Sequence, residues 1–371
     1  MATANGATAE GTRRYADRLG GVTARGHFRQ QQQLCMSTIG LGTYLGHWDE
    51  RTDRMYSEAI RRAIQLGCNV IDSAINYRFQ RSERAIGATV KQLLDSRELS
   101  RDEIIIATKG GFIPFDGEMP RDARGWIMEN IINSGAARPE DIVAGSHCMS
   151  PSYLDNQLSR SLENLGLETI DIYYIHNPET QLEAVARDEF NRRLGDAFRF
   201  LEGAVADGRI QYYGTATWNG YRQPRGSRGY LSLAEIIELA REAGGENHHF
   251  RVIQLPYNLG MPEALTMPNQ EIDGEQLPAL MAADRLGITV QCSASILQAK
   301  LAQNLPPFIA EALQGLTTDA QRAIQFVRST PGVGTALVGM SQRSHVEENM
   351  MAARVEPAPV EDFFKMFSSE E

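Results

Sequence analysis

The sequence predicts an α/β fold, a (β/α)8 barrel of the TIM-barrel class with long loops after strands 3 and 6. Short apolar segments alternate with amphipathic segments from residue 37 onward, and the pair repeats eight times. A strand, a helix and a second strand in this order form a right-handed parallel unit. Eight evenly spaced units over roughly 320 residues fit a closed barrel better than a doubly wound sheet.

Length, composition and charge agree with a large globular protein. The chain has 371 residues, of which 42% are hydrophobic and 23% charged, and this supports one sizeable core. The net charge of -10 would repel a phosphate backbone, so we expect no nucleic-acid partner. Because the sequence contains no apolar run of eighteen residues, we also expect no membrane span.

The termini and cysteines indicate domain organisation and location. We expect residues 1–33 to be a flexible N-terminal tail and residues 34–371 to form a single barrel catalytic domain. The first residues lack the apolar core of a secretory signal, and the four cysteines form no CxxC pair. We therefore expect a cytoplasmic protein, either a monomer or a small homo-oligomer, and no metal site, because the His and Cys spacings match no metal motif.

The elements follow one another with clear start and stop signals. The segment 53–66 has apolar residues on one helical face and ends at Gly67. The segment 103–108 is almost entirely apolar, as expected of a buried parallel strand. The predicted strands are 37–44, 69–72, 103–108, 170–175, 210–214, 251–255, 288–292 and 334–338; the predicted helices are 53–66, 82–94, 152–165, 186–207, 231–243, 277–286, 318–329 and one after Ser341.

Two connections are longer than a barrel requires. They cover residues 112–150 after the third strand and 256–276 after the sixth. Both leave the carboxyl ends of strands, where the functional sites of such barrels lie. Because long loops in compact domains are more often functional than not, we expect both to shape a site.

Four polar residues follow the ends of three successive strands. Asp72 and Tyr77 follow the second strand, Lys109 the third and His176 the fourth. Each residue alone also fits a solvated loop position or a half-buried structural group. The combination is harder to explain in that way, because neighbouring strand ends in a barrel lie close together.

This set of side chains suits proton donation to a carbonyl group. A tyrosine hydroxyl has a reference pKa of about 10 and is a poor acid unless its anion is stabilised. A lysine ammonium provides that stabilisation, and an aspartate holds the lysine in place. A histidine on the other side can orient the carbonyl oxygen while a hydride arrives at carbon.

Together these motifs resemble the catalytic tetrad of the aldo-keto reductases, over roughly residues 34–352. The resemblance rests on Asp72 and Tyr77 five residues apart, Lys109 in Ala-Thr-Lys-Gly-Gly and His176 in Asp-Ile-Tyr-Tyr-Ile-His-Asn-Pro. It implies that Tyr77 is the general acid and base, and that Lys109 lowers the pKa of Tyr77. It further implies that Asp72 supports Lys109 and that His176 orients the substrate.

The resemblance also implies a nicotinamide dinucleotide that lies extended across the barrel mouth without a GxGxxG loop. Gln254 would bind the carboxamide, and Ser341 with Arg343 would bind a ribose 2′-phosphate. We therefore favour NADP(H), with NAD(H) as the alternative. The implied cofactor-binding residues are Thr217, Gln254, Ser293, Gly339, Ser341, Arg343, Glu348 and Asn349, of which Gly339 would approach a phosphate and the last two the adenine.

Three hypotheses for function follow. The first is an NADP(H)-dependent oxidoreductase that interconverts a small aldehyde, ketone or sugar and its alcohol, with Tyr44, Trp48 and Asn177 beside the substrate. The second is a cofactor-binding redox sensor or regulatory subunit with vestigial reductase activity. It is motivated by Ala216, which lacks the hydroxyl of the family, and by the absence of an aromatic residue in 291–295. The third, a barrel with unrelated chemistry, predicts no nicotinamide binding.

Overall fold

Eight parallel strands close into a barrel in the computed structural model, which describes residues 5–367. The barrel order is β11, β12, β3, β4, β5, β6, β7 and β8, and β8 pairs with β11 to close the ring. The predicted (β/α)8 class is confirmed. The strands are β1 (Phe28–Gln31), β2 (Leu34–Ser37), β3 (Ile39–Gly42), β4 (Val70–Asp72), β5 (Ile105–Gly110), β6 (Ile170–His176), β7 (Ile210–Ala216), β8 (Phe250–Pro256), β9 (Gln270–Ile272), β10 (Glu275–Leu277), β11 (Thr289–Ser293) and β12 (Val333–Gly339).

Helices surround the barrel, and their ends carry the expected caps. The Asp49 carboxylate accepts a hydrogen bond from the Thr52 N–H at 2.7 Å at the start of α2, and Gly166 ends α5 with a φ of 63°. The α-helices are α1 (Ala9–Leu19), α2 (Glu50–Gln65), α3 (Arg81–Asp95), α4 (Ala123–Ile127), α5 (Pro151–Leu165), α6 (Arg187–Ala206), α7 (Leu233–Gly244), α8 (Glu263–Thr266), α9 (Ala279–Arg285), α10 (Pro307–Ala312), α11 (Asp319–Ser329), α12 (Arg343–Asn349) and α13 (Val360–Lys365).

Side chains of the barrel strands alternate between the interior and the surrounding helices. Most interior side chains are apolar, but buried polar ones lie there too, among them Thr289, Gln291 and Gln254. Because Asp72 lies at the carboxyl end of β4, the carboxyl mouth is the end suited to chemistry. The buried interior cluster contains Ala7, Leu34, Met36, Val70, Ile105, Ala107, Ile172, Tyr174, Ala216, Val252 and Leu337.

The N-terminal segment differs from the expected flexible tail. Residues 9–19 form α1, and Thr8 caps its amino end. The helix buries Tyr15 against the barrel helices, and the Tyr15 hydroxyl donates a hydrogen bond to the Ile64 carbonyl. Residues 28–37 then form an antiparallel β1–β2 hairpin. The helical pattern of α1 is hard to recognise in the sequence, because the helix is rich in arginine and buries only one narrow face.

The two long connections are ordered and contain elements of their own. Residues 112–150 include α4 and the π-helical turn Met128–Ile132, and they bury a small apolar cluster around Ile131 and Tyr153. Residues 256–276 include α8 and lead into the β9–β10 hairpin. The first segment has an apolar cluster of its own, whereas the second packs against α7 and α9 as part of the main core.

Three further features concern the described part of the chain, residues 5–367. No helix there is long and apolar enough to cross a bilayer. No group of three or more His, Cys, Asp or Glu side chains there is arranged to hold a metal ion. The four cysteines are free thiols, and burial raises the pKa of Cys68 to about 12, so that thiol stays protonated.

A buried carboxylate ties the N-terminal segment to the barrel. The Asp171 side chain accepts hydrogen bonds from the Ala7 N–H at 2.6 Å, the Ile106 N–H at 2.7 Å and Arg101 Nη2 at 2.8 Å. We predict that Asp171→Ala lowers the free energy of unfolding by about 3–5 kcal/mol, because it leaves these buried donors without a partner.

Urea denaturation measures this effect. Asp155→Ala is the matched control, since its ion pair with Arg209 is at the surface and should be worth about 1 kcal/mol or less. Equal losses for the two variants would contradict the assignment.

Candidate active site

The barrel register brings the four predicted residues to one mouth. Asp72 ends β4, Lys109 lies near the end of β5 and pairs in register with Tyr174, and His176 ends β6. Tyr77 follows β4 in a short loop that crosses the same opening. The structure therefore places all four at the carboxyl ends of neighbouring strands.

A buried ion pair forms the base of the site. Lys109 Nζ donates to Asp72 Oδ1 at 2.9 Å, to Asp72 Oδ2 at 2.7 Å and to the Ser73 carbonyl at 2.6 Å. These contacts occupy all three donors of the ammonium. Burial lowers the pKa of Lys109, and the Asp72 charge opposes that shift. Gln254 Nε2 adds a 2.8 Å hydrogen bond to Asp72 Oδ1.

Tyr77 lies directly over this ion pair. Lys109 Nζ is 5.1 Å from the centroid of the Tyr77 ring, and the Tyr44 ring packs edge to face on Tyr77 with centroids 5.0 Å apart. Burial, with the Asp72 charge second, raises the pKa of Tyr77 well above its usual 10. The net shift is opposite to the one expected from Lys109, because burial dominates and the ammonium donates to Asp72 and the Ser73 carbonyl rather than to the phenol.

The three residues after Tyr77 hold the loop in an unusual backbone conformation. Arg78, Phe79 and Gln80 have φ values of 49°, 55° and 70°, which cost roughly 1–3 kcal/mol each outside glycine. Arg78 Nε donates to the His47 carbonyl at 2.7 Å, and Asn164 Nδ2 donates to Gln80 Oε1 at 3.1 Å. These contacts from neighbouring elements fix the direction in which the chain leaves Tyr77.

His176 is a neutral imidazole in this environment. Burial, followed by the Lys109 and His147 charges, lowers the pKa of His176 well below 6.5. Its ring lies 5.9 Å from Tyr77 and 5.1 Å from Phe112, both edge to face. Its Nδ1 is buried without a hydrogen-bond partner among residues 5–367. A neutral ring beside the phenol can exchange a hydrogen bond with a substrate oxygen without competing as an acid.

A second histidine supports the first. His147 Nε2 contacts the His176 carbonyl oxygen at 2.7 Å, while Gln181 Nε2 donates to His147 Nδ1 at 2.9 Å. Because Gln181 is the donor, the proton of His147 belongs on Nε2 and points to His176. A Cβ at Gly111 would lie 2.9 Å from His147 Nε2, and its φ is 135°, so only glycine fits between the two histidines.

Glu179 joins the loops that follow β6 and β7. Its buried Oε1 accepts hydrogen bonds from the backbone N–H groups of Trp218 at 2.8 Å, Asn219 at 3.1 Å and Gly220 at 3.4 Å. Burial raises the pKa of Glu179. The carboxylate thereby positions Thr217 and Trp218 at the mouth, a role that the sequence analysis missed because three backbone donors leave no sequence signal.

A cavity of about 750 Å³ opens above these residues. It extends from the loop after β3, past the site, to α12. Among residues that the sequence analysis did not assign, Asn76, Gln298 and His345 also line it. The predicted site residues along its wall are Tyr44, Asp72, Tyr77, His176, Asn177, Thr217, Gln254, Ser293, Gly339, Ser341, Glu348 and Asn349.

Three predicted residues do not line the cavity: Lys109, which lies in the ion pair with Asp72, and the surface residues Trp48 and Arg343. Trp48 packs on the Phe79 ring with centroids 5.1 Å apart. Arg343 is 61% exposed and its Nε pairs with Glu347 at 3.1 Å, a carboxylate that Arg62 also contacts. Residues 294–296, 298, 299 and 302 of the loop after β11 line the cavity instead, whereas residues 256–276 do not.

We predict that Glu179→Ala lowers the free energy of unfolding by about 1–3 kcal/mol, because it leaves buried backbone donors unpaired. Limited proteolysis should then cleave within 217–220 faster than in the parent protein. Glu179→Gln, which keeps an acceptor, should recover part of the loss. The exposed neighbour Glu183→Ala is the control, and equal behaviour of both alanine variants would count against this role.

Comparisons with known proteins agree with the geometry. The aldo/keto reductase family pattern matches residues 38–223, which is half of the chain. A protein of Schizosaccharomyces pombe named as a voltage-gated potassium channel subunit beta is 23% identical over 337 residues, covering 88% of this chain and 87% of that protein. An aldo-keto reductase of the same organism, whose name specifies NADP(+), is 28% identical over 204 residues, covering 54% and 46%.

A solved structure shows the same fold. The aldo/keto reductase from Klebsiella pneumoniae in complex with NADP and acetate aligns with a TM-score of 0.61 at 18% identity, covering 94% of this chain and 98% of that one. Similarity at this level of identity concerns the fold. The sequence match over half of the chain, together with the barrel, shows that the chain belongs to the aldo/keto reductase family, a family of oxidoreductases.

Proposed function

We propose that the protein is an NADP(H)-dependent oxidoreductase that interconverts a small carbonyl compound and its alcohol, with Tyr77 as general acid and base. The observation that carries the proposal is the Asp72–Lys109 ion pair directly beneath the Tyr77 ring, at the wall of a cavity. A phenol above a buried ammonium is suited to give up a proton when an oxyanion develops next to it.

The residues along the cavity fit a nicotinamide dinucleotide. The Thr217 hydroxyl is buried with no hydrogen-bond partner among residues 5–367, and it lines the cavity beside Gln254. At the other end, Gly339, Ser341 and Asn349 line the wall where β12 passes into α12. The family relative named for NADP(+) and the NADP complex of the similar fold favour NADP(H), while an Escherichia coli relative named as an NADH-specific methylglyoxal reductase keeps NAD(H) as the alternative.

The chain's own residues handle the proton. When bound along the cavity, the nicotinamide cofactor would supply a hydride for the carbonyl carbon. Tyr77 donates its hydroxyl proton to the carbonyl oxygen, and neutral His176 orients that oxygen by a hydrogen bond. As Tyr77 becomes an anion, the Lys109 ammonium 5.1 Å from its ring stabilises the charge. Asp72 and Gln254 keep Lys109 in position for this step.

We predict that Tyr77→Phe lowers kcat for carbonyl reduction by about 10² to 10⁴, because the phenyl ring has no proton to donate. Binding of NADPH, followed by fluorescence titration, should change little. Tyr44→Phe is the matched control and should retain most activity, since its ring packs on Tyr77 without handling the proton. Full turnover by Tyr77→Phe would overturn the mechanism.

The raised pKa of Tyr77 also predicts how rate depends on pH. Because the phenol remains protonated at neutral and mildly alkaline pH, kcat for reduction should stay constant from about pH 6 to pH 9. Alcohol oxidation needs the phenolate, whose fraction rises about tenfold per pH unit below the pKa, so its kcat should increase across the same range. A reduction rate that falls near pH 7 would assign the acid to another group.

A second candidate function is a cofactor-binding sensor or regulatory subunit. The observation that favours it is the similarity, over 88% of the chain, to a protein named as a potassium channel subunit beta. Ala216, which lines the cavity without a hydroxyl, agrees with it. Tight NADPH binding without measurable carbonyl turnover would support this function over the first.

A further inference from the structure

We propose that two asparagine amides, those of Asn76 and Asn177, select neutral carbonyl substrates that carry hydroxyl groups next to the carbonyl. This inference rests on the proposed reductase function and names its substrate class. Asn76 directly precedes Tyr77 and Asn177 directly follows His176, and both residues line the cavity. The two amides are therefore next in sequence to Tyr77 and His176, the two residues proposed to contact the substrate carbonyl oxygen.

Neither side-chain amide makes a hydrogen bond to another residue within 5–367. Asn76 Oδ1 is buried with no hydrogen-bond partner among residues 5–367. A buried acceptor without a partner is unfavourable unless a ligand supplies a donor. A hydroxyl group is the donor that a neutral carbonyl compound offers most readily, and it can accept from the amide nitrogen in return.

Asn177 is held rigidly although its side chain is free of internal hydrogen bonds in the described part of the chain. Its backbone has a φ of 45°, which asparagine tolerates better than most residues. Its N–H donates to the Ala216 carbonyl at 2.6 Å, and its carbonyl accepts from the Thr180 N–H at 3.0 Å. The backbone is therefore fixed from both sides, while the amide remains available to a ligand.

Aromatic rings provide the remaining surface around the amides. Tyr44 is 58% exposed and Trp218 is 45% exposed, and Phe112 packs edge to face on His176; all three line the cavity. Ring faces suit the C–H groups of a compact polyhydroxylated molecule, while the amides take its hydroxyls.

The charge distribution argues against anionic substrates. Arg222 Nη1 donates to the Trp218 carbonyl at 2.9 Å, and its Nη2 pairs with Glu263 at 3.1 Å. Lys109 is occupied by Asp72 and the Ser73 carbonyl, and Arg78, which pairs with Asp53, does not line the cavity. A carboxylate or phosphate beside the carbonyl would lose its hydration without gaining a cation.

Steady-state kinetics with NADPH and three matched aldehydes tests the inference. Glyceraldehyde carries two hydroxyls, propanal carries none, and glyceraldehyde 3-phosphate adds a dianion. We expect kcat/KM for glyceraldehyde to exceed that for each of the other two at least tenfold. Equal or better use of propanal or of the phosphorylated aldehyde would overturn the inference.

Variants of the two amides separate their role from general damage to the site. Asn76→Ala and Asn177→Gly, the latter compatible with a positive φ, should each reduce the preference for glyceraldehyde over propanal at least threefold. The NADPH dissociation constant reports whether the fold and cofactor site survive. Asn247→Ala is the control, because Asn247 is exposed and precedes β8 at the opposite end of the barrel, and it should retain the full preference.

The outcomes distinguish this inference from the proposed function. Turnover of all three aldehydes at similar efficiency, or an unchanged preference in both amide variants, would overturn the substrate class and leave the reductase in place. No turnover of any aldehyde despite NADPH binding would overturn the reductase function itself, and the substrate class with it.

Discussion

The site depends on one buried ion pair, that between Asp72 and Lys109. Removing both charges from water costs several kcal/mol per ion, and close contact offsets this only when the remaining donors and acceptors are also satisfied. Here the ammonium has three acceptors, and one carboxylate oxygen also accepts from Gln254. Because these groups come from β4, β5 and β8, the ion pair forms only in the closed barrel. The position of the pair in turn determines where a positive charge lies next to Tyr77.

Buried polar groups surround the Asp72–Lys109 pair, and side chains from outside the barrel strands hold them in place. The strained backbone after Tyr77 is braced by Arg78 and Asn164, the carbonyl of His176 by His147, and the loop after β7 by Glu179. Arg78, His147 and Glu179 are buried, Asn164 is half-buried, and all four are hydrogen-bonded, which makes the layer rigid. The loop 112–150 thus has a structural task, since it supplies both His147 and Phe112.

The pKa shifts have a common cause in this burial. It raises the pKa of Tyr77 and lowers the pKa of His176 and Lys109. The phenol therefore holds its proton while the imidazole remains neutral, so the two groups do not compete as acids. The family relatives carry names of both reductases and channel subunits.

The sequence by itself determined the fold class and the four residues at the mouth. Alternating apolar and amphipathic segments specify the barrel, and strand ends identify Asp72, Lys109 and His176, because both signals are local in the chain. The tertiary structure alone decided the folded N-terminal segment, the positions of Trp48 and Arg343 outside the cavity wall, and the direction of the Tyr77 pKa shift. These depend on contacts between residues far apart in sequence, such as Ala7 with Asp171 and Gln254 with Asp72, and on burial, which only the closed barrel creates.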